Sequence, residues 1–300
     1  MRIAPVPRER WPALAAFAFA TNRRPDGRLR CLHFDHGADA AALATEMLAL
    51  PDDEALFLAA ADGSGWRGVV GAELDPALGR AWLRGPLVDP ADPALARGLV
   101  RALRDALPQA IVRLDAFPQA DEALLCEAYA AEGFEDRLVN HVLHAPAPAG
   151  PPPAWPAAVR DTGGDPALAQ AAAALHAEAF PQGYLTPVTL LATRDDTHRL
   201  FAVPDPQQPG AALGYVYVQH DAEAGEGYVD FIAVAPQAQG RGVGRALMDA
   251  AANWTFAQRG LPRIALTVRA DRAPALALYR ACGFAEVAAG RHLCRERAAP

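Results

Sequence analysis

The stretch "AVAPQAQGRGVGRALM", residues 233–248, decides how the chain is read. Gly240, Gly242 and Gly244 share six positions with Arg241 and Arg245, directly after an apolar, strand-like run and directly before a helix-like one. The first turn of a helix leaves backbone N–H groups without partners and carries a partial positive charge, so it attracts anions, phosphates above all. Glycines let that backbone come close to a ligand. Three readings compete. A dinucleotide fingerprint needs G-x-G-x-x-G, but Arg245 stands at the third glycine position and no acidic residue follows at a second strand's end. A P-loop needs lysine, and the chain contains none. The third reading is a turn that only redirects the chain into a helix.

Elements alternate around this loop. "DPALAQAAAALHAEAF" (165–180) opens with an Asp cap and an early Pro and reads as a helix. "HRLFAV" (198–203), "ALGYVYVQH" (212–220) and "GYVDFIAV" (227–234) are short, β-branched and aromatic, as strands are. From Val243 the apolar positions 243, 247, 250, 251 and 254 mark one helix face. "RIALTV" (263–268) returns to strand, "APALALYRAC" (273–282) to helix and "GFAEV" (283–287) to strand.

The first half repeats this order. "AWLRGPLVDP" (81–90) is followed by a helix at 94–107, a strand at 110–117 and a helix at 120–132. Pro90 pairs with Pro236 and Tyr129 with Tyr279, which predicts an internal duplication of one α/β unit. Between the halves, "APAPAGPPPAWPAA" (145–158) has the composition of an extended connector. The expected domains are 1–145, a linker at 146–158, and 159–300.

Composition narrows the function. A 300-residue chain with 52% hydrophobic residues has the apolar content for packed cores. Its 28 basic residues, all arginine, are scattered singly against 35 acidic ones, a net charge of −7, so no nucleic-acid surface is expected. Cys31, Cys126, Cys282 and Cys294 form no C-x-x-C pair, which fits a reducing cytoplasm. "WPALAAFAFA" (11–20) lacks a basic region before it and reads as a helix rather than a signal peptide. No apolar run approaches the roughly 18 residues of a membrane span, so no membrane partner is expected. "HFDH" (33–36) and "HVLH" (141–144) place His at i and i+3. On a strand that spacing sends the rings to opposite faces, and no metal is expected.

The pattern Gln239-x-x-Gly242-x-Gly244 after "IAVAP", with Ala275, Leu278, Tyr279, Gly283 and Phe284 some 30 residues later, resembles the GNAT family of acyl-CoA N-acyltransferases. The resemblance is specific over about 198–290. It implies an α/β (α+β) fold of two tandem GNAT-like units, each a mixed, mostly antiparallel sheet flanked by helices. This tandem arrangement is similar to that of relatives of mycothiol synthase. In the first half, Pro93, Ala94 and Ala96 stand opposite Gln239, Gly240 and Gly242, and only Gly98 survives, opposite Gly244, so that unit looks degenerate and 159–300 carries the site. The resemblance further implies acetyl-CoA as cosubstrate, held by Ile232, Ala233, Val234, Gln239, Gly240, Arg241, Gly242, Val243, Gly244, Arg245 and Ala275. Arg272 stands where the family often has Asn. It cannot accept a hydrogen bond, so it either changes the pantetheine contacts or pairs a phosphate.

Acetyl transfer to an alkylammonium of pKa near 10.4 first costs roughly 4 to 5 kcal/mol for deprotonation at pH 7, which a carboxylate acting through water relieves. Strand alternation puts Tyr228, Asp230, Ile232 and Val234 on one face, making Asp230 a candidate base. The family's acidic position often corresponds to Tyr228, and Glu226 is a second candidate. By the resemblance Tyr279 is the acid for the leaving thiolate; the alternative is a core tyrosine with a wet tip. Cys282 has no nearby His and reads as buried filler. The segment 176–187, with Glu178 and Tyr184, is expected to line the acceptor pocket. The expected activity is direct acetyl transfer in a ternary complex to an amine of a small molecule or an amino terminus, an aminoglycoside-like or mycothiol-precursor amine among them, by a monomer or homodimer. The alternative is an acyl-CoA-binding or sensing protein without turnover.

Overall fold

The computed structural model describes residues 2–34, 39–63, 65–181, 183–193, 195–221 and 225–297; His36 of "HFDH" therefore lies outside the described residues. The chain forms two compact units that are discontinuous in sequence. Unit 1 holds Met1–His141, Arg269–Asp271 and Ala288–Pro300; unit 2 holds Val142–Val268 and Arg272–Val287. A cut at residues 146–158 would therefore remove part of each unit.

Unit 1 runs β1 (Arg2–Pro5), α1 (Trp11–Asn22), α2 (Ala40–Ala49), β2 (Ala55–Asp62), β3 (Gly65–Asp75), β4 (Arg80–Val88), α3 (Pro93–Ala106), β5 (Arg113–Ala116), α4 (Ala123–Ala131) and the first part of β6 (Glu135–Pro146). Strands β1 to β4 are antiparallel neighbours, and β5 joins β4 in parallel. Residues 288–296 from the chain's end complete this sheet, pairing Leu293 with Ala116 and Glu296 with Arg113. Helix α3 buries Leu95, Ala96, Leu99, Val100 and Leu103, one stripe at helical spacing, against β2, β3 and β4.

Unit 2 runs β7 (Arg160–Asp161), α5 (Pro166–Ala179), α6 (Pro187–Ala192), β8 (His198–Pro204), β9 (Ala212–Asp221), β10 (Glu226–Val234), α7 (Val243–Asn253), β11 (Arg263–Arg269), α8 (Ala273–Ala281) and the start of β12 (Ala285–Glu296). Strands β8, β9 and β10 are antiparallel, and β11 joins β10 in parallel. Val216, Val218, Val229, Leu247, Ile264 and Tyr279 fill one side of the sheet with α7 and α8. Leu168, Ala172, Leu175, Tyr215, Tyr217 and Phe231 fill the other with α5 and α6. The proline-rich stretch packs on this unit: Trp155 meets Phe201 edge to face at 5.0 Å, and Asn253 Nδ2 donates to the Pro153 carbonyl at 2.8 Å.

The duplication is visible element by element. β4 and β10 are offset by 146 residues (226 − 80), whereas α3 and α7 (243 − 93), β5 and β11 (263 − 113) and α4 and α8 (273 − 123) are offset by 150. The four additional residues of unit 2 fall between Val234 and Val243, in the glycine loop itself. This corrects the residue pairing read from the sequence: Ala94, not Gly98, stands opposite Gly244, and the glycine loop is four residues longer than its unit 1 counterpart.

In both units the parallel pair parts early. β10 pairs with β11 only from Glu226 to Val229, then continues to Val234 beside β9 alone. β4 pairs with β5 from Arg80 to Leu83 and continues to Val88. A β-bulge marks each parting point, at Asp230 in β10 and between Arg84 and Leu87 in β4, and bulges bend the strand that carries them.

Candidate active site

The glycine loop leads into α7, whose N-cap is Gly242 at φ +82°, with Gly240 before it at φ +71°. Both conformations lie in the left-handed region that L side chains rarely adopt. A Cβ at either position would meet nothing within 4 Å, so space is open above the backbone there. Gly244 is glycine for another reason: its Cβ would lie 3.1 Å from Leu278 Cδ2, so a side chain there requires Leu278 on α8 to shift. No side chain caps α7, and its first backbone bond runs from Ala246 N to Gly242 O. The counterpart helix differs. The Asp92 carboxylate caps α3 by accepting from Leu95 N at 3.0 Å, and Pro93 removes one amide altogether. One unit thus presents an uncapped, cationic helix start, and the other fills the same place with its own carboxylate.

Asp230 is the extra residue of the β10 bulge. Val229 packs on the α7–α8 side and Phe231 on the α5–α6 side, so the bulge breaks the alternation that would have kept Tyr228, Asp230, Ile232 and Val234 on one face. Ile232 and Val234 lie against the α7–α8 core, while Asp230 accepts a hydrogen bond from the Tyr184 hydroxyl in the segment after α5. Burial pushes the Asp230 carboxyl up to about 6, although the Tyr184 bond and the charge of His198 pull the other way. Burial and the neighbouring carboxylate raise the Tyr184 phenol above its ordinary value. Just below the parting point, Tyr228 Oη donates to Thr267 Oγ1 at 2.8 Å, and burial holds that phenol at about 12.

Tyr279 lies in α8, its ring buried near Phe284. Its hydroxyl bonds to none of the described residues, and burial pushes it up to about 12, so it stays protonated at neutral pH. Its counterpart Tyr129 is fully buried and donates to the Gly85 carbonyl at 2.6 Å, inside the parting of β4 and β5. Tyr129→Phe is expected to cost about 1–3 kcal/mol by orphaning a buried carbonyl, read as a lower urea midpoint.

The structure brings Asp230, Tyr184 and Tyr228 together and leaves others apart. Glu226 sits where β10 and β11 are still paired, four residues or about 13 Å along the strand from Asp230, with Arg263 Nε 2.6 Å from its carboxylate. Glu178 is exposed on α5, two residues and therefore about half a turn from the buried face at His176. Arg245 bonds Asp249 Oδ1 at 2.9 Å and the Ala281 carbonyl at 3.2 Å, bracing the start of α7 against α8. Arg241 is exposed beside the loop, and Arg272 is the N-cap residue of α8. Gln239 Nε2 donates to the Val234 carbonyl at 3.4 Å, while Ala275 packs against the same core as Tyr279. Ala233 lies on the α5–α6 side. The residue that sequence reasoning missed is His176, which bonds Tyr215 Oη and the Leu185 carbonyl; a histidine in an alanine-rich helix carries no local signal of its partners.

Residues 167–284 match the family described as acetyltransferase (GNAT) family. Among curated proteins, a mycothiol acetyltransferase of Beutenbergia cavernae is 39% identical over 139 residues, 43% of this chain and 46% of that protein. One of Salinispora tropica is 38% identical over 125 residues, 37% and 39% of the two chains. The matched stretch thus spans less than half the length of these relatives. Among solved structures, a GCN5-related N-acetyltransferase from Sphaerobacter thermophilus superposes with a TM-score of 0.72 at 20% identity over 98% of this chain and 95% of its own. A tandem GNAT protein from the clavulanic acid biosynthesis pathway does so at 0.63 and 16% identity, over 98% of both chains. These likenesses establish the fold: residues 167–284 match the GNAT acetyltransferase family model, and the chain shares the fold of the tandem GNAT protein on which it superposes.

Proposed function

We propose that the GNAT domain of this chain transfers an acetyl group from acetyl-CoA to a primary amine by direct attack in a ternary complex. The observation that carries the reading is the pairing of an uncapped α7 start, open above Gly240 and Gly242, with a half-buried carboxylate at the parting of β10 and β11. The amides after Gly242 are oriented for phosphate oxygens, and Arg241 adds charge at the loop. The thioester supplies an acetyl group activated toward an amine and leaves as a thiol. Asp230 attracts the incoming ammonium and, ionised above pH about 6, takes up its proton, directly or through one water. Tyr279 donates its hydroxyl proton toward the departing sulfur. The balance is one C–N bond formed, one C–S bond broken and two protons lost by the ammonium nitrogen: the first leaves through Asp230 to solvent, and the second, released as the C–N bond forms, offsets the proton that Tyr279 gives to sulfur. The four free cysteines fit a reducing cytoplasm.

Incubating the full chain with acetyl-CoA and a panel of amines, then reading product masses, tests the proposal: the expected result is a mass gain of one acetyl group on at least one amine. The relatives' name puts mycothiol-precursor amines first, beside aminoglycoside-like amines and amino termini. The second reading, acyl-CoA binding without turnover, draws on the Tyr184 bond that occupies Asp230. Saturable binding with no acetyl gain on any amine is its signature. Gly242→Val is expected to weaken acetyl-CoA binding by more than about 1.4 kcal/mol, tenfold, because a β-branched residue strains the left-handed backbone and fills the open space. Titration calorimetry reads that loss, and unchanged affinity with an intact circular dichroism spectrum returns the loop to a plain turn.

A further inference from the structure

His176 is fully buried in α5, and both of its ring nitrogens are engaged. Nε2 lies 2.7 Å from the Leu185 carbonyl, which can only accept, so Nε2 carries the proton. Nδ1 lies 2.6 Å from Tyr215 Oη. Burial lowers the His176 pKa, keeping the ring neutral, and a neutral ring protonated at Nε2 accepts the Tyr215 hydroxyl at Nδ1. The imidazole therefore ties β9 to the backbone of the segment after α5. That segment is held from its other end as well. Gly183 N donates to the Phe180 carbonyl at 3.0 Å, and a Cβ at Gly183 would sit 3.2 Å from that same carbonyl oxygen. Between these two anchors stands Tyr184, packed on Phe231 with ring centroids 5.1 Å apart and bonded to Asp230. Phe231 in turn meets the His176 ring at 4.8 Å.

We propose that His176 is a positioning residue of the acceptor site: through the Leu185 carbonyl it holds Tyr184 on Asp230, and so sets amine binding while leaving coenzyme binding alone. The inference rests on the reading of Asp230 as the amine's partner. The groups facing Asp230 are Tyr184 from this segment, Tyr228 from its own strand, Tyr215 and Tyr217 from β9, and His198 from β8, itself 3.0 Å from Asp195. Of these, Tyr184 is the one whose hydrogen bond favours the ionised carboxylate, so its release moves the Asp230 titration upward.

The test compares His176→Gln, whose amide nitrogen reaches the place of Nε2, with His176→Asn, whose amide reaches only the place of Nδ1, alongside Tyr184→Phe and the His176→Asn/Tyr184→Phe double variant. The Asn variant is expected to raise the amine KM about tenfold and leave the acetyl-CoA Kd within about twofold. It should also move the Asp230 titration, followed by carbon-13 NMR of its carboxyl, upward as Tyr184→Phe does. His176→Gln restores most of both, and the double variant adds little to Tyr184→Phe. Equal behaviour of Asn and Gln, an unmoved Asp230 titration, or additive effects in the double variant would overturn the proposal. The carboxyl titration needs no turnover, so a wild-type chain that acetylates no amine counts against the function while this inference is still decided.

Discussion

Tyr279→Phe is expected to lose roughly 10²- to 10⁴-fold in turnover while acetyl-CoA affinity stays nearly constant, the pattern of an interaction made only in the transition state. The substitution keeps the ring, its burial in the α7–α8 core and its contact with Phe284, and removes only a hydroxyl that bonds to none of the described residues. A phenol held near 12 keeps its proton until a basic partner develops, and the departing sulfur is that partner. A tyrosine of purely structural value gives the reverse: turnover near wild type and a stability change of about 1 kcal/mol or less. The comparison with Tyr129 sharpens the test. There the hydroxyl is committed to the Gly85 carbonyl, so the same substitution should cost stability and leave turnover intact. Turnover, coenzyme affinity and melting temperature measured on both variants separate the two roles.

Asp230→Asn carries the second large effect, a fall of roughly 10²- to 10⁴-fold in kcat/KM at neutral pH. The wild-type profile should rise with pH through about 6, where the raised carboxyl ionises, and the variant should lack that limb. Above it the variant regains rate as the amine loses its own proton toward 10.4. The stability sign is opposite to that of a paired surface carboxylate. A carboxyl raised in the folded state favours folding when protonated, and that contribution is lost as pH rises through about 6. At pH 8 the Asn variant is therefore expected to melt at or above the wild-type temperature while turning over far more slowly. A structural aspartate predicts a lower melting temperature instead.

Much of this is legible in the sequence, because the periodicities are local. The stripe at 243, 247, 250 and 251 is the buried face of α7, and the strands at 198–203, 212–220 and 227–234 lie within one residue or so of β8, β9 and β10. The anchors at Pro90 and Tyr129 already held two different offsets; what they could not say is where the four additional residues sit. The bulge at Asp230 was invisible, since "YVDFIAV" alternates as well as any strand and only pairing with β9 shows an unmatched residue. The final strand was read as ending at 287, yet β12 runs to Glu296, because "AAGRHLCRE" has no period of its own and becomes strand by pairing with β5. His176 stayed hidden for a related reason. Both of its partners are distant in sequence, one of them a backbone carbonyl, and α5 buries Ala169, Ala171, Ala172 and Ala173 around too much of its circumference to mark a face.

Of the two copies of one unit, we propose that unit 2 alone keeps a coenzyme site. Unit 2 has the longer glycine loop, the uncapped α7 and the unspent Tyr279, whereas unit 1 has Asp92 on its helix start and Tyr129 locked on Gly85. The most direct measurement is the stoichiometry of acetyl-CoA binding to the full chain by titration calorimetry. One equivalent per chain is expected, abolished or weakened more than about tenfold by Gly242→Val. Two equivalents per chain, or one equivalent that Gly242→Val leaves untouched, would contradict that proposal.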